Sequence, residues 1–224
     1  MLTSSGERKA NEDFLDVLIS SDRQDFILCD GLGGHGNGDV ASRFVTETIK
    51  EALKKEMSVE ESIMEAQKKL LEKQKAEHAE NSMKTTVTCL ELSGSKAKFA
   101  HVEKAKYVQR SQDHSVPQML VNRGDIKEKD IRHHEDRSRL LRVMGTEWDS
   151  PKYQVVDDIK LTNRSSFLLC SDGFWELIDE KQMCKLLKKA ADPQDWLGKM
   201  EEIVLKNGTG TNMDNYSAIA VFVR

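Results

Sequence analysis

The sequence predicts an α+β layered fold, with antiparallel sheets at the centre and helices packed outside them. Three observations predict it. Strand-like runs come in groups: Phe14 to Ile19 with Asp25 to Cys29, then Thr85 to Leu92 with Lys96 to Val102 and Lys106 to Arg110, then Tyr153 to Ile159 with Ser165 to Cys170. Helical patterns come in pairs between those groups, so the strict strand-helix alternation of a parallel doubly wound sheet is missing. A chain of 224 residues without a linker or low-complexity tract fits one domain, residues 1–224, with a sizeable core.

Each element has its own signal. Phe14 to Ile19 pairs with Asp25 to Cys29 through the polar turn Ser20 to Gln24. Val40 to Lys55 carries apolar residues at 41, 44, 45, 49, 52 and 53, a helical period, with Asp39 near its start as a capping acid. Ser58 with Glu61 three residues on forms a capping pair, and Val59, Ile63, Ala66 and Leu70 mark a second buried stripe. The run Glu72 to Glu80 reads as the solvated end of that helix. Ser93-Gly94-Ser95 is a turn between two strands. Helices are expected near Pro117 to Asn122, Lys127 to His134, Gly173 to Ala191 and Trp196 to Leu205, and the last strand over Ala218 to Val223.

Composition excludes several classes. With 34 Lys and Arg against 38 Asp and Glu the net charge is -4, so no nucleic-acid footprint is expected. No run approaches the roughly 18 apolar residues of a membrane span, and Met1 to Asn11 lacks a signal-peptide core, so a cytoplasmic protein is expected. Four cysteines are too sparse for a disulfide scaffold and read as small buried hydrophobes. His133 and His134 are neighbours that one helix face cannot bring together, so they read as surface.

The chemistry centres on Phe26 to Asp39. Four apolar residues lead to Asp30 at a strand end, and Gly31 follows, which tolerates close approach of the backbone. The arrangement returns as Ser166 to Gly173, with Asp172 in place of Asp30. Taken singly, each Asp-Gly is a common turn dipeptide. Gly31, Gly33 and Gly36 also spell the dinucleotide fingerprint, but Asp30 would then repel a pyrophosphate, and a helical pattern stands where a second strand ending in an acid is required. Should Asp30, Asp172 and Asp214 converge with Glu12 or Asp13, two charges at 4 Å repel by about 4 kcal/mol at an effective dielectric of 20. Such a cluster calls for cations. Carboxylate oxygens without thiolate or imidazole suit magnesium or manganese, and two such ions can activate a water toward phosphorus.

The ordered motifs Gly6-x-Arg8-x-x-Asn11-Glu12-Asp13, Asp30-Gly31-x-Gly33-Gly34-His35, Asp113-His114-Ser115, Ser171-Asp172-Gly173 and Asp214-Asn215 resemble those of the metal-dependent type 2C serine/threonine protein phosphatases, particularly compact bacterial members. The resemblance implies a four-layer sandwich, two central antiparallel sheets flanked by helix pairs, with two Mg2+ or Mn2+ ions at one edge. It implies that Asp30 bridges the ions, that Gly31 offers its carbonyl, that Asp172 and Asp214 complete the set, and that Glu12 and Asp13 bind through waters. Arg8 matches the arginine that holds the substrate phosphate, and Asn215 orients the Asp214 loop. The metal-bridging water then attacks directly. The implied partners are phosphorylated protein substrates of a serine/threonine kinase, and a monomer is expected.

Four departures qualify the resemblance. Lys104, within Glu103 to Lys106, stands where the family has an aspartate for a third ion, so that ion is predicted absent. Leu32 replaces a histidine proposed as general acid, and His35 is the candidate substitute. Lys84 replaces a glycine, and the strand before Gly6 is nearly absent. The alternative to a phosphatase is a phosphatase-like binding or regulatory module with weak or no turnover.

Overall fold

The computed structural model describes residues 1–33, 36–101, 115–137 and 139–223, with the backbone alone at 157 and 158. Lys104, His35, Asp113, His114 and the strand expected over Lys106 to Arg110 lie outside the described residues. Among the described residues, eight strands form two antiparallel sheets. Strands β2 (Asp13–Ile19), β3 (Arg23–Asp30), β4 (Thr88–Ser93), β5 (Lys96–His101) and β6 (Gln154–Lys160) lie side by side in chain order. Strands β1 (Leu2–Ser4), β8 (Tyr216–Phe222) and β7 (Ser166–Cys170) make the second sheet, with β8 in the middle. The strand before Gly6 is thus present, three residues long, pairing Leu2 with Ala218 and Ser4 with Tyr216. β3 has antiparallel neighbours on both sides, which a dinucleotide-binding unit does not.

Side-chain alternation explains why the sheets stack. On β3, Ile27 and Cys29 face helices α1 (Gly38–Lys54) and α2 (Val59–Glu77), while Phe26 and Leu28 face the other sheet. On β8, Ile219 and Val221 meet Phe26 and Leu28, while Tyr216 and Ala218 pack with Trp196, Leu197 and Met200 of α6 (Pro193–Gly208). A strand buried on both faces must be apolar along its length, which is why Phe26 to Cys29 is a continuous apolar run. The layers are therefore a helix pair, five strands, three strands, and a second helix group.

Several boundaries differ from the expected ones. The helix expected over Gly173 to Ala191 is broken into α4 (Asp172–Trp175) and α5 (Glu180–Leu187), because Asp179 caps a new start by accepting from Gln182 N at 2.8 Å. Lys127 to His134 is a 3₁₀ helix over Glu128–His133, and the helix near Pro117 is α3 (Val116–Arg123). Asp39 is not the cap of α1. Asn37 holds that place in the left-handed region without a side-chain capping bond, its Nδ2 donating instead to Ser82 Oγ at 3.1 Å, and Asp39 sits inside the first turn, where it acts through the helix dipole. Cys29 and Cys89 are buried as expected, Cys170 is half-buried, and Cys184 is exposed, contrary to its reading as a buried hydrophobe, because its turn of α5 faces solvent.

Candidate active site

Register places the acids. Asp13 opens β2 directly opposite Asp30 at the end of β3, so their side chains share one face. Two residues further along the strands lie Leu15 and Leu28, which face the gap between the sheets, and alternation therefore points both acids into that gap at its open edge. β7 ends at the same edge, and Ser171 and Asp172 follow it. Asp30's backbone is fixed by the neighbouring chain: its N–H donates to Thr86 Oγ1 at 3.1 Å, and its carbonyl accepts from Thr85 Oγ1 and Thr86 N, each at 2.8 Å.

Glycines let the backbones meet here. A Cβ on Gly31 would stand 2.3 Å from Gly38 O, one on Gly173 would stand 2.1 Å from Asn215 O, and one on Gly33 would stand 1.9 Å from Glu12 Oε2. Gly31 and Gly173 meet backbone that cannot yield, so both are sterically required, whereas at Gly33 the contact is the tip of the Glu12 side chain, which would have to turn away. The loop between β1 and β2 brings Arg8 and Glu12. It is tied down by buried Asn215, whose Nδ2 donates to Ser5 O and Ala10 O at 2.9 Å each, and whose Oδ1 accepts from Glu12 N at 2.8 Å. Glu7 does the same from the other side, accepting from Gly210 N and Met213 N, and those bonds hold its carboxyl below the usual range.

Arg8 grips Asp214 with a two-pronged contact, Nε to Oδ1 and Nη2 to Oδ2, both 3.2 Å. Arg8, Glu12, Asp30, Gly31, Asp172 and Asp214 line one open cavity of about 910 Å³. Asp13 does not line it. It lies beneath, 5 % exposed, with Oδ2 accepting from Ser171 Oγ at 2.7 Å and Oδ1 without a hydrogen-bond partner. Burial pushes its carboxyl up to about 6, against the opposing pull of Ser171 and of Ser217, which acts nearby without bonding Oδ1. Asp172 presents its surface to the cavity but is ringed by protein. That desolvation, then the charges of Glu176, Asp214 and Asp13, push it up to about 7. Burial, Asp39 and Asp214 raise Glu12 as well, despite Arg8. Like charges crowd this edge, so it favours a cation. As the chain stands, no three His, Cys, Asp or Glu among the described residues close up into a metal shell. Their donor set is nevertheless all oxygen, and Gly31 has no Cβ to bar its backbone from a ligand.

A family model described as Protein phosphatase 2C matches residues 5–208. The chain belongs to the protein phosphatase 2C family. A curated relative, the serine/threonine phosphatase stp of Listeria innocua, is 27 % identical over 233 residues, covering 96 % of this chain and 90 % of that one. The solved serine/threonine phosphatase Stp1 from Staphylococcus aureus superposes with a TM-score of 0.85 at 25 % identity, over 100 % of this chain and 93 % of that one. A third likeness, of fold alone, is the catalytic domain of the phosphatase PstP in complex with two manganese ions, with a TM-score of 0.78 at 20 % identity over 100 % and 96 % of the two chains. By membership, this chain is a serine/threonine protein phosphatase.

Apart from Lys84, which stands where the family has a glycine, the other residues around this cavity carry no sequence signal. Lys9, Lys84, Arg139, Leu140, Leu141, Val143 and Thr146 also line the cavity. The wall at 143–146 is held from α2: Gln74 Nε2 donates to Met83 O at 2.6 Å and Gly145 O at 2.9 Å, while Gln67 bonds Gly145 N at 2.9 Å and Thr146 O at 2.6 Å. Both glutamines are buried, Gln74 within the run Glu72 to Glu80 that reads as the solvated end of the helix. Only the partners they find across 71 and 78 residues give them a role.

Proposed function

We propose that this edge of the sandwich is the catalytic centre of a metal-dependent hydrolase of phosphoserine and phosphothreonine in proteins, opposing a serine/threonine kinase, with residues 1–224 acting as one catalytic domain. The observation that carries the reading is the gathering of Glu12, Asp30, Asp172 and Asp214 around one open cavity with Arg8 at its rim. Asp30, Asp172, Asp214 and the Gly31 carbonyl would hold two Mg2+ or Mn2+ ions, with Glu12 reaching them through water. The ions would supply a water acidic enough to attack phosphorus directly at neutral pH and would offset the monoester's charge.

The chain's own residues do the rest. The Arg8 fork already matches two oxygens of a carboxylate, and the same planar spacing suits two oxygens of a phosphate. Asp214 and the substrate therefore compete for one guanidinium. Asp13 works from behind the cavity wall: through Ser171 Oγ it fixes the turn that aims Asp172. Asn215 keeps Arg8 and Glu12 on the cavity side of their loop.

Calorimetric titration with Mn2+ tests the reading. Two ions per chain are expected for the wild type, with binding at both lost or weakened at least tenfold in Asp30→Asn. Equal binding by the two proteins would place the ions elsewhere.

A further inference from the structure

We infer that Lys84 is a second cation for the substrate phosphate, facing Arg8 across the cavity, and this rests on the hydrolase reading above. The register of β3 and β4 continues past the ends of both strands. Leu28 pairs with Thr88, and three residues on Gly31 bridges Thr85, which keeps the same offset. The backbone N–H of Leu32 then bonds Lys84 O at 3.0 Å. Lys84 is thus opposite Leu32, and alternation gives Leu32, Lys84 and Asp30 a common face. Both Asp30 and Lys84 line the same cavity.

Diagonal neighbours of this kind stand roughly 7 to 8 Å apart at Cα, within the reach of a lysine stem. The Lys84 side chain therefore carries its ammonium toward the space in front of Asp30. Arg8 enters that space from the opposite side, on the loop between β1 and β2. Its backbone is not in the left-handed region, so a side chain at this position costs no strain.

Lys84 is half-buried, yet among the described residues its ammonium has neither an ion pair nor a hydrogen bond. The contrast with its neighbours is informative: Arg8 is held by Asp214, and Arg139 by Asp136 at 3.0 Å. A partly desolvated cation without a partner costs free energy unless an anion is delivered to it. The cavity's anion is the phosphate. A compact ammonium with three rotatable donors suits a point contact to one phosphate oxygen, complementing the fork of Arg8.

Equilibrium dialysis of inorganic phosphate against manganese-saturated protein, with wild type, Lys84→Gln and Lys84→Arg of equal thermal midpoint, reads the contact directly. Lys84→Gln is expected to weaken phosphate binding about fivefold to twentyfold, as for one partly exposed charge-assisted contact, and Lys84→Arg to keep most of it. The Michaelis constants for para-nitrophenyl phosphate and for a phosphothreonine peptide should rise by the same factor, with kcat little changed. Unchanged phosphate binding in Lys84→Gln overturns the inference, whether or not manganese binds more tightly through loss of a repelling charge. A loss confined to peptides with acidic flanks overturns it too, since Lys84 would then read sequence and not phosphate. Wild-type protein that binds phosphate through Lys84 without turnover would keep the inference and sink the hydrolase reading.

Discussion

Replacing Asn215 by alanine removes one side chain and three backbone anchors at once. Its amide holds Ser5 O, Ala10 O and Glu12 N at 2.8 to 2.9 Å, and the residue is only 7 % exposed. Each bond is worth about 0.5 to 1.5 kcal/mol net, so three give a loss of about 2 to 4 kcal/mol, trimmed where cavity water reaches the freed groups. At about 2 to 4 °C per kcal/mol for a chain of this size, the thermal midpoint should fall by roughly 4 to 16 °C. The loop that carries Arg8 and Glu12 is released at the same time, so turnover should fall at least tenfold at temperatures where the variant is fully folded. Urea unfolding followed by tryptophan fluorescence, beside hydrolysis of para-nitrophenyl phosphate, measures both. A stability change under about 0.5 kcal/mol with turnover intact would refute the assignment of Asn215 as the anchor of that loop.

Other perturbations follow from the same geometry. Gly31→Ala puts a methyl 2.3 Å from Gly38 O, so a fall of more than 5 °C in midpoint (about 2 kcal/mol) and loss of turnover are expected in a thermal scan and a hydrolysis assay. Ser171→Ala strips Asp13 of its donor and Ser217 N of its acceptor, both buried, and should cost about 2 to 3 kcal/mol in urea unfolding. Asp25, far from the cavity, is pushed up by burial from 3.8 to about 6 despite its bond to Arg23. A carboxyl that binds its proton more tightly when folded stabilises most below its unfolded value, and that stability is lost as pH rises through about 4 to 6. Comparing urea midpoints of metal-free wild type and Asp25→Asn at pH 4 and 7 should show a smaller decline in the variant.

Much of this was readable from residue order. The strands with strict apolar runs, the two stripes of α1 and α2, and the ends of β3 and β7 where Asp30 and Asp172 stand follow from period and turn chemistry, which are local. What escaped is non-local. Leu2–Ser4 is too short for a periodic signal and exists as a strand only because β8 offers an edge. The break after Trp175 depends on Asp179 outcompeting helix continuation, and Arg132 locks that turn by stacking 4.1 Å over Trp175 and bonding Ile178 O at 3.0 Å. Gln67 and Gln74 look like surface residues until the loop at 143–146 comes to them. Lys84 reads as a lost glycine, and only the register shows which cavity it faces. Asp13 shares the face of Asp30 by register, but depth is not written in the sequence: its bond from Ser171 Oγ holds it buried under the wall, while Glu12, just ahead of the strand, lines the cavity.

The most direct test of the central claim is phosphate release from a phosphothreonine peptide by wild type and Asp172→Asn, each with Mn2+, with Mg2+ and with chelator. Release by the wild type with added ion, none with chelator, and a fall of at least a hundredfold in the variant at unchanged fold are expected. Folded wild-type protein that releases no phosphate with either ion, or a variant as active as the wild type, would contradict the claim.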